Sequence, residues 1–78
     1  MKVIGIAERN FTSKDTGAFI EGFYIYVTFE NNRTTGLASD RLYLSRNRLD
    51  QFGYSPSVGD DIDIQYNRYG KISGIRLI

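Results

Sequence analysis

The strongest pattern in the chain lies between Phe19 and Glu30, where Phe23, Ile25, Val27 and Phe29 alternate with Tyr24, Tyr26 and Thr28. Alternation with period two puts the first set on one face of a β-strand and the second on the other. The second face carries rings instead of charges, so this strand is either covered on both sides or offers tyrosines to a partner. Upstream, Val3, Ile4 and Ile6 open a first strand that runs to about Asn10, with Gly5 marking a bend or bulge. Between the two, Phe11–Gly17 reads as a polar turn in which Asp15 and Gly17 supply the turn chemistry. Asn31-Asn32 then turns the chain tightly into a third strand, Arg33 to Leu44.

Ser45 has the chemistry of a helix N-cap, Leu49 and Phe52 fall on one helical face, and Gly53 is a stop, which predicts one to two turns of helix. After Pro56 and a turn at Val58-Gly59-Asp60, a fourth strand runs from Asp61 to Asn67 with Ile62, Ile64 and Tyr66 toward the core. Arg68-Tyr69-Gly70-Lys71 forms a hairpin connection with Gly70 at positive φ, and Ile72 to Ile78 is the fifth strand.

Three strands, a short helix and two strands give an all-β class with small helical content, in the order of the five-stranded Greek-key barrel of OB-fold type. An SH3-like barrel shares the strand count and is the alternative. A chain this short cannot cover a sheet with several helices, so it must close or nearly close the sheet to hide its edges. Residues 1–78 make one domain, and size scaling gives a folded surface of roughly 4,800 Å² with about 63% of the extended chain's surface buried.

Composition narrows the chemistry. Hydrophobic residues at 41% and charged residues at 24% describe a globular chain. With neither Cys nor His there is no disulfide, no ordinary zinc site and no His-based catalysis, so no enzyme, metal or cofactor is expected. Asp60, Asp61 and Asp63 lack the Gly-bracketed loop and distal Glu that calcium needs and read as a solvated strand face. Ser45, Ser55 and Ser57 have no neighbouring base. No apolar run approaches ~18 residues and the chain starts without a leader pattern, which predicts a cytoplasmic protein with no membrane span.

The net charge of +1 hides a segregation: residues 31–48 sum to +3, 49–65 to −4 and 66–78 to +3. Seven of the ten basic residues are Arg, which favours planar stacking and bidentate phosphate contacts. Basic and aromatic residues interleave: Lys14 with Phe19, Tyr24 and Tyr26, Arg41 with Tyr43, and Arg68 with Tyr69 and Lys71. Single-stranded nucleic acid is held by this combination, because bases stack on exposed rings while cations track the backbone. Phe23, Phe29 and Tyr66 read as core, whereas Tyr69 at a hairpin tip reads as a partner contact.

Three segments carry a family resemblance: the opening Lys2-Val-Ile-Gly-Ile6 strand leading into Phe11–Gly17, the entry Gly22-Phe23-Tyr24, and the closing run Tyr69–Leu77. Together they resemble the single-stranded-DNA-binding (helix-destabilising) proteins of filamentous phages. The resemblance implies a homodimeric OB-type barrel, with Tyr69 as a base-stacking tip aromatic, Arg76 as a DNA-contacting Arg and Lys14 on a basic wing. Tyr24 or Tyr26 takes the place of the family's strand-two tyrosine, while Ser45–Ser57 departs from the family pattern.

The expectation is therefore a protein that binds single-stranded DNA or RNA with low sequence specificity, in phage or plasmid DNA replication or transfer. Tyr24, Tyr26, Tyr43 and Tyr69 would stack bases, and Lys14, Arg41, Arg68, Lys71 and Arg76 would meet phosphates. The alternative is a protein-interaction barrel whose aromatic face packs on another chain or on its own dimer mate.

Overall fold

The computed structural model describes residues 1–78. Its elements are β1 (Lys2–Glu8), β2 (Phe11–Thr12), β3 (Phe19–Ile20), β4 (Gly22–Glu30), β5 (Leu37–Ser45), α1 (Arg46–Phe52), β6 (Ile62–Tyr66) and β7 (Ile72–Leu77), so the chain is mostly β with one short helix. Strands β1, β4 and β5 form an antiparallel sheet in that order, while β2–β3 and β6–β7 are separate hairpins. A bulge between Val3 and Gly5 bends β1 where the glycine anticipated it.

Three stretches depart from the sequence reading. Phe11–Gly17 is not only a turn: Phe11 and Thr12 pair with Ile20 and Phe19, so the first two long strands continue into a hairpin arm. The strand expected over Phe19–Glu30 is interrupted at Glu21, where the β2–β3 arm meets the main sheet; the Glu21 carbonyl accepts from the Arg46 amide at 2.8 Å, one step beyond the Gly22–Ser45 pair. Asn31-Asn32 does open a tight turn, but the loop runs on to Gly36 and the third strand begins at Leu37, opposite Glu30, instead of at Arg33. There the Asn31 side chain accepts from the Arg33 amide and its carbonyl accepts from Thr34, local bonds that compete with strand pairing.

The second hairpin joins the sheet through β1. The Val3 amide donates to the Asp60 carbonyl at 2.9 Å, Gly59 donates to Val3 at 2.8 Å and Ile62 donates to Met1 at 2.8 Å, around a single bridge between Lys2 and Asp61. The spatial order is thus β5-β4-β1-β6-β7, and no ladder joins β5 to β7. Helix α1 packs against both outer strands, and the Arg48 guanidinium donates to the Ile72 carbonyl. Its caps match the sequence reading: the Ser45 hydroxyl accepts from the Arg48 amide, and Gly53 takes the left-handed conformation at φ 66°.

One cluster fills the interior: Val3, Ile25, Val27, Leu42, Leu44, Leu49, Tyr54, Ile62, Ile64 and Ile75. Tyr66 was expected there but is 51% exposed: it is the last residue of β6, out at the exposed β6–β7 tip, where a bulge leaves Ser73 of the partner strand unpaired. The accessible surface is 5773 Å², well above the roughly 4,800 Å² of a compact chain of this size. The radius of gyration agrees, at 13.6 Å against about 11.5 Å, with a long dimension of 43 Å. The excess surface belongs to mostly exposed segments, the β2–β3 arm and the β6–β7 tip. No helix is long and apolar enough to cross a membrane.

Asp60, read from sequence as part of a solvated acidic face, instead accepts from the Tyr54 phenol at 2.8 Å and the Ser57 amide at 3.0 Å. Burial first, then the hydrogen bond and charge of Asp60, push the Tyr54 phenol well above its ordinary range, against a smaller opposing effect of Ser57. The folded state therefore holds this proton more tightly than the unfolded state does. The resulting stability is complete below the unfolded pKa of about 10 and is lost as pH rises from there toward the folded value. Urea midpoints at pH 8 and pH 10.8 should fall with pH in the wild type. Tyr54→Phe should lower the first midpoint and flatten the fall between them; an equally steep fall in the variant would remove Tyr54 as the cause.

Candidate nucleic-acid interface

Directly paired residues of an antiparallel sheet point to the same face, so the register decides which side chains meet. Across β4 and β5, Tyr24 stands opposite Tyr43 and Tyr26 opposite Arg41. Across β1 and β4, the same two tyrosines stand opposite Ala7 and Gly5. Small residues on β1 leave the rings uncovered on that side, and the outer face of the sheet becomes a platform of rings beside a cation.

The rings touch. Tyr24 and Tyr43 lie edge to face with centroids 5.5 Å apart, and the Arg41 guanidinium sits 4.3 Å from the centre of the Tyr24 ring. Phe11, brought in by β2, tilts against Tyr43 at 5.8 Å. The track Phe11, Tyr43, Tyr24 and Arg41 thus crosses from the arm onto the sheet, with Tyr26 beside it at 37% exposure. Lys2 and Arg9 lie on the same face by register, opposite Thr28 and Gly22.

Gly22 holds this arrangement together. The Tyr43 ring lies across it, and the phenol donates to the Arg9 carbonyl at 3.1 Å, tying sheet to arm. A Cβ on Gly22 would overlap the Tyr43 phenol and come within 2.9 Å of the Leu44 carbonyl oxygen. Gly22→Ala should cost ~1–3 kcal/mol by overpacking and displace Tyr43. Thermal unfolding together with the ring-proton shifts of Tyr43 checks this, and a variant with both unchanged would show that the ring does not depend on the glycine.

The remaining residues singled out from sequence stand elsewhere. Arg68, Tyr69 and Lys71 gather at the β6–β7 tip, where the Asn67 side chain accepts from the Tyr69 and Lys71 amides and Gly70 has φ 76°. Tyr69 is 72% exposed, with the Arg68 guanidinium 5.2 Å from its ring centre. Arg76 lies on β7 opposite Asp63 and pairs with its carboxylate at 3.4 Å, so it is partly neutralised. Lys14 is exposed in the loop of the arm. No group of three or more acidic side chains converges closely enough to hold a metal ion.

Sequence reasoning therefore missed Phe11, Lys2 and Arg9 as members of this face. Phe11 carried a signal, a large apolar residue opening an otherwise polar run, but its partner Tyr43 is remote in sequence and only the strand register joins them. Compared with protein families, curated proteins and solved structures, the chain matches none. The phage-family resemblance consequently rests on its local motifs alone.

Proposed function

We propose that this domain binds single-stranded nucleic acid, DNA in the first instance, on the outer face of the β1-β4-β5 sheet. The observation that carries the reading is the continuous track of Phe11, Tyr43 and Tyr24 with Arg41 stacked on its end. Bases have π-faces of every identity, so a ring track binds them with little sequence preference while Lys2, Arg9 and Arg41 meet phosphates. The β6–β7 tip, with Arg68, Tyr69 and Lys71, offers a second contact of the same chemistry. The strand order β5-β4-β1-β6-β7 with a helix before β6 supports an OB-type Greek-key barrel as the fold behind it. A cytoplasmic homodimer serving phage or plasmid DNA replication or transfer belongs to the same proposal and rests on the motif resemblance.

Titrating oligo-dT against intrinsic tyrosine fluorescence at two salt concentrations tests it. Saturable quenching is expected, weaker at high salt by ~0.7 counterions per neutralised phosphate. Tyr69→Ala should weaken binding by ~1–3 kcal/mol with little change in melting temperature. Unquenched fluorescence at low salt, with light scattering that shows the sheet face covered by a second subunit, would favour the protein-interaction reading.

A further inference from the structure

The arm and the start of α1 enclose a cleft of about 250 Å³ lined by Phe19, Ile20, Glu21, Ser45, Arg46 and Asn47. Phe19 pairs with Thr12 and so stands on the opposite face of the arm from Phe11, leaving its ring 64% exposed. Arg46 is placed by two contacts: its Nε donates to Glu21 Oε2 at 3.1 Å, and its guanidinium lies 5.5 Å from the centre of the Phe23 ring. The pair is half exposed, so the Glu21 carboxylate, which lines the cleft, keeps acceptor capacity beyond the bond it takes from Arg46. The cleft borders the end of β5, two residues beyond Tyr43.

A carboxylate in the lining repels a phosphate, so a neutral ring is the part of a nucleotide that fits there, against Phe19. Carboxylate oxygens only accept, and two of them side by side match two parallel donors. Guanine alone among the bases presents such a pair, N1–H beside the exocyclic N2 amino group. Adenine and cytosine set their amino group beside an acceptor nitrogen, and thymine flanks its N3–H with carbonyls. We infer that this cleft is a guanine subsite, with Phe19 as the stacking wall, Glu21 as the acceptor and Arg46 as the residue that positions Glu21. The inference rests on the single-strand reading above and adds a base preference at one position of the bound strand.

Affinities of oligo-dT, the same oligonucleotide with one central dG, and one with inosine in that place test it, since inosine keeps N1–H but lacks the N2 amino group. The dG oligonucleotide should bind at least about fivefold tighter than oligo-dT, the lower end for a bidentate base contact. Inosine should lose most of that gain, Glu21→Gln should equalise the three, and Phe19→Ala should weaken the dG oligonucleotide more than oligo-dT. Equal wild-type affinities for dG and dT overturn the subsite while leaving the single-strand reading intact. If oligo-dT does not bind at all, that reading fails, and titration with guanosine monophosphate against thymidine monophosphate by amide NMR decides the subsite. Shifts at residues 19–21 and 46–47 with the guanine nucleotide alone support it; shifts with neither, or with both equally, overturn it.

Discussion

Replacing Tyr24 and Tyr43 together by Ala should weaken oligo-dT binding by about 2–4 kcal/mol, from ~1–3 kcal/mol for each stacked base. The two effects are not independent, because the rings touch at 5.5 Å and Tyr43 also supports Phe11, so each single variant already disturbs its neighbour. Two further readouts separate stacking from general damage. Both side chains lie on the outer face and outside the core cluster, so the melting temperature should move by only a few degrees. The slope of log affinity against log salt should stay as in the wild type, because no phosphate contact has been removed. Arg41→Ala should do the reverse, lowering the slope with a smaller loss at high salt. A double variant that binds as tightly as the wild type would take the sheet face out of the binding site and leave the β6–β7 tip as its centre.

The largest stability effect should come from Ile25→Ala. Ile25 is fully buried at the middle of β4, and a large-to-small change there costs ~2–5 kcal/mol in lost burial and residual cavity. A chain of 78 residues has roughly 4–12 kcal/mol in all, so this one change removes a large share of it. Ile4 provides the control: it lies in the same sheet but at the β1 bulge, 52% exposed, and Ile4→Ala should stay within about 0.5 kcal/mol. Urea denaturation of the two variants checks the contrast, and similar midpoints would mean that the inner and outer faces of this sheet have been exchanged.

The α1 boundaries were legible because capping is local chemistry: Ser45 and Gly53 act on amides and carbonyls within a turn of themselves. The same holds for Gly70 in the β6–β7 turn, where one residue's freedom to take φ 76° sets the path of the chain. Period-two alternation placed Ile25 and Val27 inward and Tyr24 and Tyr26 outward, since a strand has only two faces. Tyr66 shows where that logic stops. Alternation says which face a residue shares with its neighbours but not whether the core extends beneath it, and Tyr66 closes β6 at the exposed tip, past the last buried pair, Ile64 and Ile75.

What the chain by itself determined was the class of the fold, the short helix, the inner and outer faces of its long strands, and the kinds of side chain available for contact. Only the tertiary structure decided which of those side chains meet. Strand register across β4 and β5 set Tyr24 against Tyr43, and the pairing of β2 with β3, where the residue pattern alone showed a polar turn, added Phe11. The candidates split into a sheet face and a distant-in-sequence hairpin tip because β6 and β7 form a separate hairpin that joins the sheet through β1. The physical reason is one of range: capping, turns and alternation act over a few residues, whereas pairing register is a property of two segments at once. Short local signals cannot specify it until both strands have been brought together by the core they share.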